Sequence, residues 1–330
     1  MDCNPTINGY TLRAIVDEVR QYAGFTNKAP ISAVRQFFDP SDPIHGPGDD
    51  GAIVDVGGHQ IVVCGEALSP SFVASDPHGA GIAAVLANVN DVAAMGGVPR
   101  AIVNTIVGPA ETTSEVMRGM VDAAEMYQVP IVGGHLTEQP GPTSVSAFAV
   151  GHAERVLSMA NVRPGQTILF ACYLDGHMRA DFPFFTSIDS QAHRFAADIR
   201  VLAAVASSGA ASAAKDVSMA GALGSLAMLL EFTGLGGRVD LECMPTPADT
   251  DFLRWLISFP SYAFWLTAEP DQAQRCVDIF TENDLVCVAV GEISSGSSLQ
   301  LEGGGGSAEL IDFGHESVTG LWNARPDSDA

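Results

Sequence analysis

Five short stretches carry side chains that could do chemistry together. GPGDDGAIV places Asp49 and Asp50 just before a strand-like run, IVVCGEAL ends the next run with Glu66, and NVNDVAAMGG sets Asn88, Asn90 and Asp91 in an apolar helical stretch. IVGGHLTE ends a third run in Gly133, Gly134 and His135, and AAKDVSMAGALG presents Asp216 ahead of a glycine-broken helix start. Taken singly, each has a structural reading. Asp49 suits a turn, Glu66 a solvated strand end, His135 a satisfied core histidine, and Asp216 a local ion pair with Lys215. Asp91 is different, because Val89, Val92, Ala93 and Met95 surround it and no basic residue lies between it and Arg100. A carboxylate entering a core needs either backbone N–H caps or a bound cation. Together the five stretches suggest a hard-cation site: Mg²⁺ takes oxygen ligands, few of them from protein, and completes its shell with water and substrate phosphates. Glycines at 96, 97, 133 and 134 would let backbone approach phosphate oxygens.

Elements must position these groups. Apolar spacing after a Thr11 cap predicts a helix over 11–22. AIVDV and QIVVCGEAL, separated by GGH, predict a hairpin. The stretch 82–94 has no polar face and must be a buried helix, 100–107 a strand, 114–127 an amphipathic helix, 129–134 a short strand and 144–153 an alternating strand. MANVRPGQ breaks the pattern near Met159, which divides the chain into 1–158 and 159–312. The second part reads as strand 167–173, helices 190–208 and 219–233, strands 238–241 and 262–268, helix 270–282 and strand 285–293. Strands mixed with helices imply an α/β architecture of α+β type. EGGGGS, 302–307, reads as a hairpin turn, and 313–330 as a solvated tail.

The 330 residues suffice for two domains with real cores. Sixteen basic against 39 acidic residues give a formal charge of −23, which argues against nucleic acid and anionic membranes as partners. An anionic substrate stays open, because a cation held by carboxylates reverses the local field. The six cysteines lack C-x-x-C spacing and read as reduced core residues. MDCNPTINGY carries no basic and apolar leader, and no apolar run reaches the roughly 18 residues of a membrane span, so the expected location is cytoplasmic.

GPGDDGAIV, NVNDVAAMGGVPRAIV and VPIVGGHLTE, in that order, resemble the superfamily of ATP-using enzymes that includes aminoimidazole ribonucleotide (AIR) synthetase, thiamine monophosphate kinase, selenophosphate synthetase and the hydrogenase maturation factor that dehydrates a carbamoyl group. RPGQTILF and KDVSMAGALG extend the likeness over most of the chain. The resemblance implies a two-domain protomer whose N-terminal strands pair with a second copy to close a β-barrel, followed by a C-terminal α/β sandwich. It implies ATP and Mg²⁺ near that interface, with Asp49, Asp50, Glu66, Asp91 and Asp216 on the metal and phosphate positions and Asp91 and Asp216 central to catalysis. Gly133, Gly134 and His135 fall on the nucleotide-proximal loop, and Asn88 and Asn90 on the polar positions before the helical Asp.

The chain also departs from each named relative. Met219 and FPSYAFWL stand where thiamine monophosphate kinases carry a second Asp and a Gly-Glu-Asp-Tyr-Glu-Leu stretch. Cys3 and Lys28 do not reproduce the Cys and Lys pattern of selenophosphate synthetase, and Met219 and Ala220 occupy the consecutive glycines of AIR synthetase. The reading is ATP- and Mg²⁺-dependent phosphoryl transfer to, or activation of, a small acceptor by a homodimer. Its alternatives are cyclisation or dehydration through a phosphorylated oxygen, and an ATP-binding homodimer without turnover.

Overall fold

Asp76 and Pro77 start the helix on which the first part of the molecule is built. The Asp76 side chain accepts from the Gly79 N–H at 2.9 Å, and Pro77 takes the first helical position, so the helix runs Pro77–Ala94. It begins five residues ahead of the expected 82 because the glycines of PHGAG hide the apolar periodicity. Expected to be buried, it is so for twelve of its eighteen residues, all from Ala80 to Ala94, while Ile82, Ala83, Ala87 and the first turn are half-buried. The computed structural model describes residues 6–38 and 48–322. They form two compact units, one of Asp50–Val156 with Gln191–Ser207, the other of the described residues in Met1–Asp49, Leu157–Ser190 and Ser208–Ala330.

The first unit holds β1 (Ala52–Val56), β2 (His59–Ala67), β3 (Val98–Gly108), β4 (Ile131–Glu138) and β5 (Ser144–Ala153) in the order β1-β2-β5-β3-β4. Gly57 and Gly58, at φ 62° and 86°, close the β1–β2 hairpin. Only β3 and β4 pair in parallel, a connection that the Ala110–Tyr127 helix makes possible. This helix and Pro77–Ala94 touch backbone to backbone: a Cβ on Gly81 would lie 2.1 Å from Val116 O, and one on Gly119 1.9 Å from His78 O. The Pro77–Ala94 helix packs in turn on β2, β3 and β5. Residues 191–207 join this unit through Phe195, stacked on Tyr127 at 5.1 Å, and Arg200, which donates to the Tyr127 carbonyl.

The opposite face of this sheet has a different character. Val54, Val103, Phe148 and Val150 are 44, 36, 42 and 39% exposed. By register they share that face with Ile61, Val63, Ala101 and Thr105. None of the residues paired across it is Asp, Glu, Lys or Arg; His59, His135 and His152 are its titratable side chains.

The second unit holds β6 (Thr167–Cys172), β7 (Ala213–Asp216), β8 (Gly237–Asp240), β9 (Ala263–Ala268), β10 (Val286–Ile293), β11 (Ser298–Gly303) and β12 (Gly306–Asp312), ordered β7-β9-β6-β10-β8-β11-β12. The expected EGGGGS hairpin turn joins β11 to β12, with Gly304 and Gly305 at positive φ. The Leu12–Gln21 helix, capped by Thr11 as expected, puts Ile15 and Val19 into the same core as Phe170, Trp265 and Leu226. That burial ties the leading residues to this unit, whereas the sequence expectation placed 1–158 together.

Two further expectations differ from the structure. The stretch 190–208 is not continuous helix but the pieces Ile188–Gln191, Phe195–Asp198 and Val201–Ser208. Residues 313–322 are not a solvated tail: Phe313 and Val318 enter the core, and Trp322 packs edge-on against Phe232 at 4.7 Å. The final NARPDSDA and Cys3 lie outside the described residues. No described helix is long and apolar enough to cross a membrane.

Candidate functional site

In the first unit Asp91 sits in the last turn of Pro77–Ala94 and is 6% exposed. Asp50 leads into β1, and the two side chains present carboxylate oxygens within 4.8 Å of each other. Asn88, one turn earlier, fixes the rotation of the helix. Its amide donates to Ala84 O at 2.8 Å and to Ala147 O on β5 at 3.2 Å, and the Cys64 thiol lies 3.4 Å from its carbonyl and 3.5 Å from its Oδ1. Asn88 therefore acts as a pin within the fold. Burial, then the charge of Asp91, pushes the Cys64 thiol up, with smaller contributions from Glu66 and Asp50 and an opposing one from a backbone hydrogen bond with Ala149. Cys64 is held as a neutral S–H. Asn90 is buried.

Glu66 is exposed on β2 opposite Ala147 and lies outside the close carboxylate group. His135 is not a core histidine: β4 is exposed over Val132–Thr137 apart from a half-buried Thr137, and His135 Nε2 lies 3.1 Å from Thr137 Oγ1. Among the glycines expected near phosphate, Gly96 turns the chain at φ 74° after the helix, and a Cβ on Gly97 would meet Val92 O at 2.9 Å. On Gly134 it would meet Asn104 Oδ1 at 2.4 Å. The fold itself requires these three, whereas Gly133 faces open space.

In the second unit one oxygen of Asp49 accepts from Ser158 Oγ at 2.7 Å and from the Met159 N–H at 3.0 Å. Asp216 ends β7, buried, with Lys215 Nζ 3.3 Å from its Oδ1, so the ion pair that the sequence allowed is present. Two residues on, Ser218 Oγ is buried and has no hydrogen-bond partner. Gly221, at φ 74°, fixes the turn into the Gly221–Glu231 helix.

Asp50 and Asp91 fit a hard divalent ion on donor chemistry, as an all-oxygen pair close enough to share it. Without a cation, two like charges this close at a buried helix end are unfavourable. Sequence reasoning missed Cys64, Ser158 and Ser218. Ser218 stood inside a motif already singled out, and Cys64 alternates with Glu66 on β2; nothing in the sequence pointed to Ser158.

The model for the AIR synthase related protein N-terminal domain matches residues 48–153, and that for the C-terminal domain matches 186–304. An uncharacterised protein of Synechocystis sp. is 30% identical over 94% of this chain and 98% of its own. One of Methanocaldococcus jannaschii is 30% identical over 94% and 99%. The thiamine-monophosphate kinase of Rhodopirellula baltica is 30% identical over 40% of this chain and 47% of its own. Among solved structures, T. maritima PurL complexed with ADP matches with a TM-score of 0.75 at 18% identity, covering 94% of this chain but only 52% of the PurL chain. AaThiL complexed with AMPPCP and TMP gives 0.63 at 17%, covering 82% and 91%. These two likenesses show a shared fold, mixed α/β in two domains. With both domain models matched across the motifs above, the chain belongs to the AIR synthase related family.

Proposed function

We propose that this protein is an ATP- and Mg²⁺-dependent enzyme that transfers a phosphoryl group to, or activates through phosphorylation, a small-molecule acceptor, acting as a cytoplasmic homodimer. The observation that carries the reading is the approach of Asp50 and Asp91 to within 4.8 Å at a buried helix end. Phosphoryl transfer asks a protein for positioning and for cations that neutralise developing charge. In a chain of net charge −23, bound Mg²⁺ would supply that neutralisation. In this reading Asp50 and Asp91 hold the metal in the first unit with Glu66 at its margin, Asp216 and Asp49 are the second unit's acids assigned to metal, and Asn90, Gly133, Gly134 and His135 serve the nucleotide. Asn88 contributes by keeping Asp91 in place. ATP use is supported by relatives named as kinases and by the ADP and AMPPCP complexes of the structural neighbours.

The uncharged sheet face supports the second copy. An apolar face of this extent gains by burial, and a copy brings an equally uncharged face to meet it. The acceptor differs from thiamine monophosphate, because Met219, 43% exposed, replaces the second acid of that family's motif. The test is ATP consumption with a panel of small acceptors, with and without Mg²⁺, for the wild type and Asp91→Asn. Mg²⁺-dependent turnover that the folded variant lacks supports the reading. Stabilisation by ATP and Mg²⁺ with no turnover for any acceptor would favour a binding homodimer instead.

A further inference from the structure

Lysine is seldom buried unless paired, yet Lys215 keeps only 8% of its side chain exposed, and Asp216 beside it 4%. Neighbours on a strand project to opposite faces, and β7 is regular here, with Lys215 opposite Trp265 and Asp216 opposite Phe264. The ammonium lies 3.3 Å from Asp216 Oδ1, at the end of a flexible four-carbon stem. A contact made by a flexible stem between adjacent residues can be released without moving the backbone. Around the pair, Ala213, Ala214 and Val217 are apolar, and the buried Ser218 hydroxyl two residues beyond Asp216 has no hydrogen-bond partner. The strand end thus holds a neutralised carboxylate and an unused hydroxyl side by side in sequence.

We propose that Lys215 is a resident counter-cation for Asp216, which a divalent ion displaces on binding, so that this lysine sets the affinity of the site for metal. The proposal rests on the reading of Asp216 as a metal ligand. It makes Lys215 a positioning residue: it holds the carboxylate in place in the metal-free protein, and its release from Asp216 is part of loading.

The experiment is calorimetric titration of the full chain with MgCl₂ and MnCl₂, together with thermal melts, for the wild type, Lys215→Met and the double variant Lys215→Met/Asp216→Asn. Lys215→Met, which keeps the stem and removes the charge, should bind the metal about tenfold tighter. It should melt lower without metal and gain more from Mg²⁺ than the wild type does. The double variant, with both buried charges gone, should recover the metal-free melting temperature and lose the gain in affinity. A Lys215→Met protein that binds metal no tighter than a binding-competent wild type overturns the proposal. A wild type that binds neither ion overturns the functional reading beneath it. Should Lys215→Met not fold, acetylation of Lys215 in the wild type, followed by mass spectrometry, reads the same displacement. Mg²⁺ should speed labelling, and an unchanged rate counts against the proposal.

Discussion

Glu231 in the second unit and Asp91 in the first both lie at the C-terminal ends of helices, 4 and 6% exposed, and they differ in what stands beside them. A carboxylate at this end of a helix also faces the negative pole of the macrodipole. Glu231 accepts the backbone N–H groups of Val318, Thr319 and Gly320 at 3.0–3.1 Å and the Thr319 hydroxyl at 2.8 Å. It is a clamp that docks the segment after β12. Asp91 instead has another acid, Asp50, within 4.8 Å, and a thiol whose ionisation its charge suppresses. A chain segment docked on both oxygens of a buried acid marks a structural role, and a second acid beside a buried one marks a place for a cation. Asp216, with a lysine of its own, stands between the two.

The strongest way to break this contrast is to neutralise each acid. Asp91→Asn should lower Mg²⁺-dependent ATP consumption by about 10²–10³-fold, the scale of losing a charge-stabilising group. The metal-free melting temperature should hold or rise, since a like-charge contact is removed. Turnover assays and melts on one preparation check both. Glu231→Ala should do the reverse, costing about 3 kcal/mol or more by leaving four donors without their acceptor. Denaturant unfolding reads it, and metal affinity should be unchanged.

A third test asks whether the bare sheet face is used. Phe148→Asp puts a charge on a half-exposed position, so each subunit should lose no more than about 1 kcal/mol while the dimer gives way to monomer in light scattering. The smallest effect concerns pH. Burial, opposed by the Thr319, Gly320 and Val318 donors, holds the Glu231 carboxyl above its ordinary 4.5. A raised carboxyl means the folded state holds its proton more tightly, so the contribution is present below 4.5 and lost as pH rises through the higher value. The wild type should therefore lose ground to Glu231→Gln in unfolding experiments between pH 4 and 7.

Much of this was legible from local chemistry. The Thr11 cap, the Gly57–Gly58 hairpin, the unamphipathic helix over 82–94 and the EGGGGS turn each follow from a residue pattern confined to a few positions. The pairing of Asp50 with Asp91, two residues 41 apart, was readable only as converging acids. What escaped depends on distant contacts. The clamp of Glu231 on 318–320 turns an apparent tail into core, and the burial of Ile15 and Val19 carries the leading helix into the second unit. Asn88 was assigned to the nucleotide by the family resemblance alone, and its amide holds Ala84 and Ala147. Taken singly, His135 read as a satisfied core histidine, whereas β4 lies at the sheet edge and leaves it exposed.

The most direct measurement of the central claim is anomalous diffraction from crystals of the full chain grown with Mn²⁺ and a nonhydrolysable ATP analogue. The expected result is a manganese peak at about 2.1–2.2 Å from carboxylate oxygens of both Asp50 and Asp91, close to the octahedral Mg²⁺ distance, with the triphosphate completing its shell. A nucleotide bound with no metal at these two residues, or manganese seated elsewhere, would contradict it.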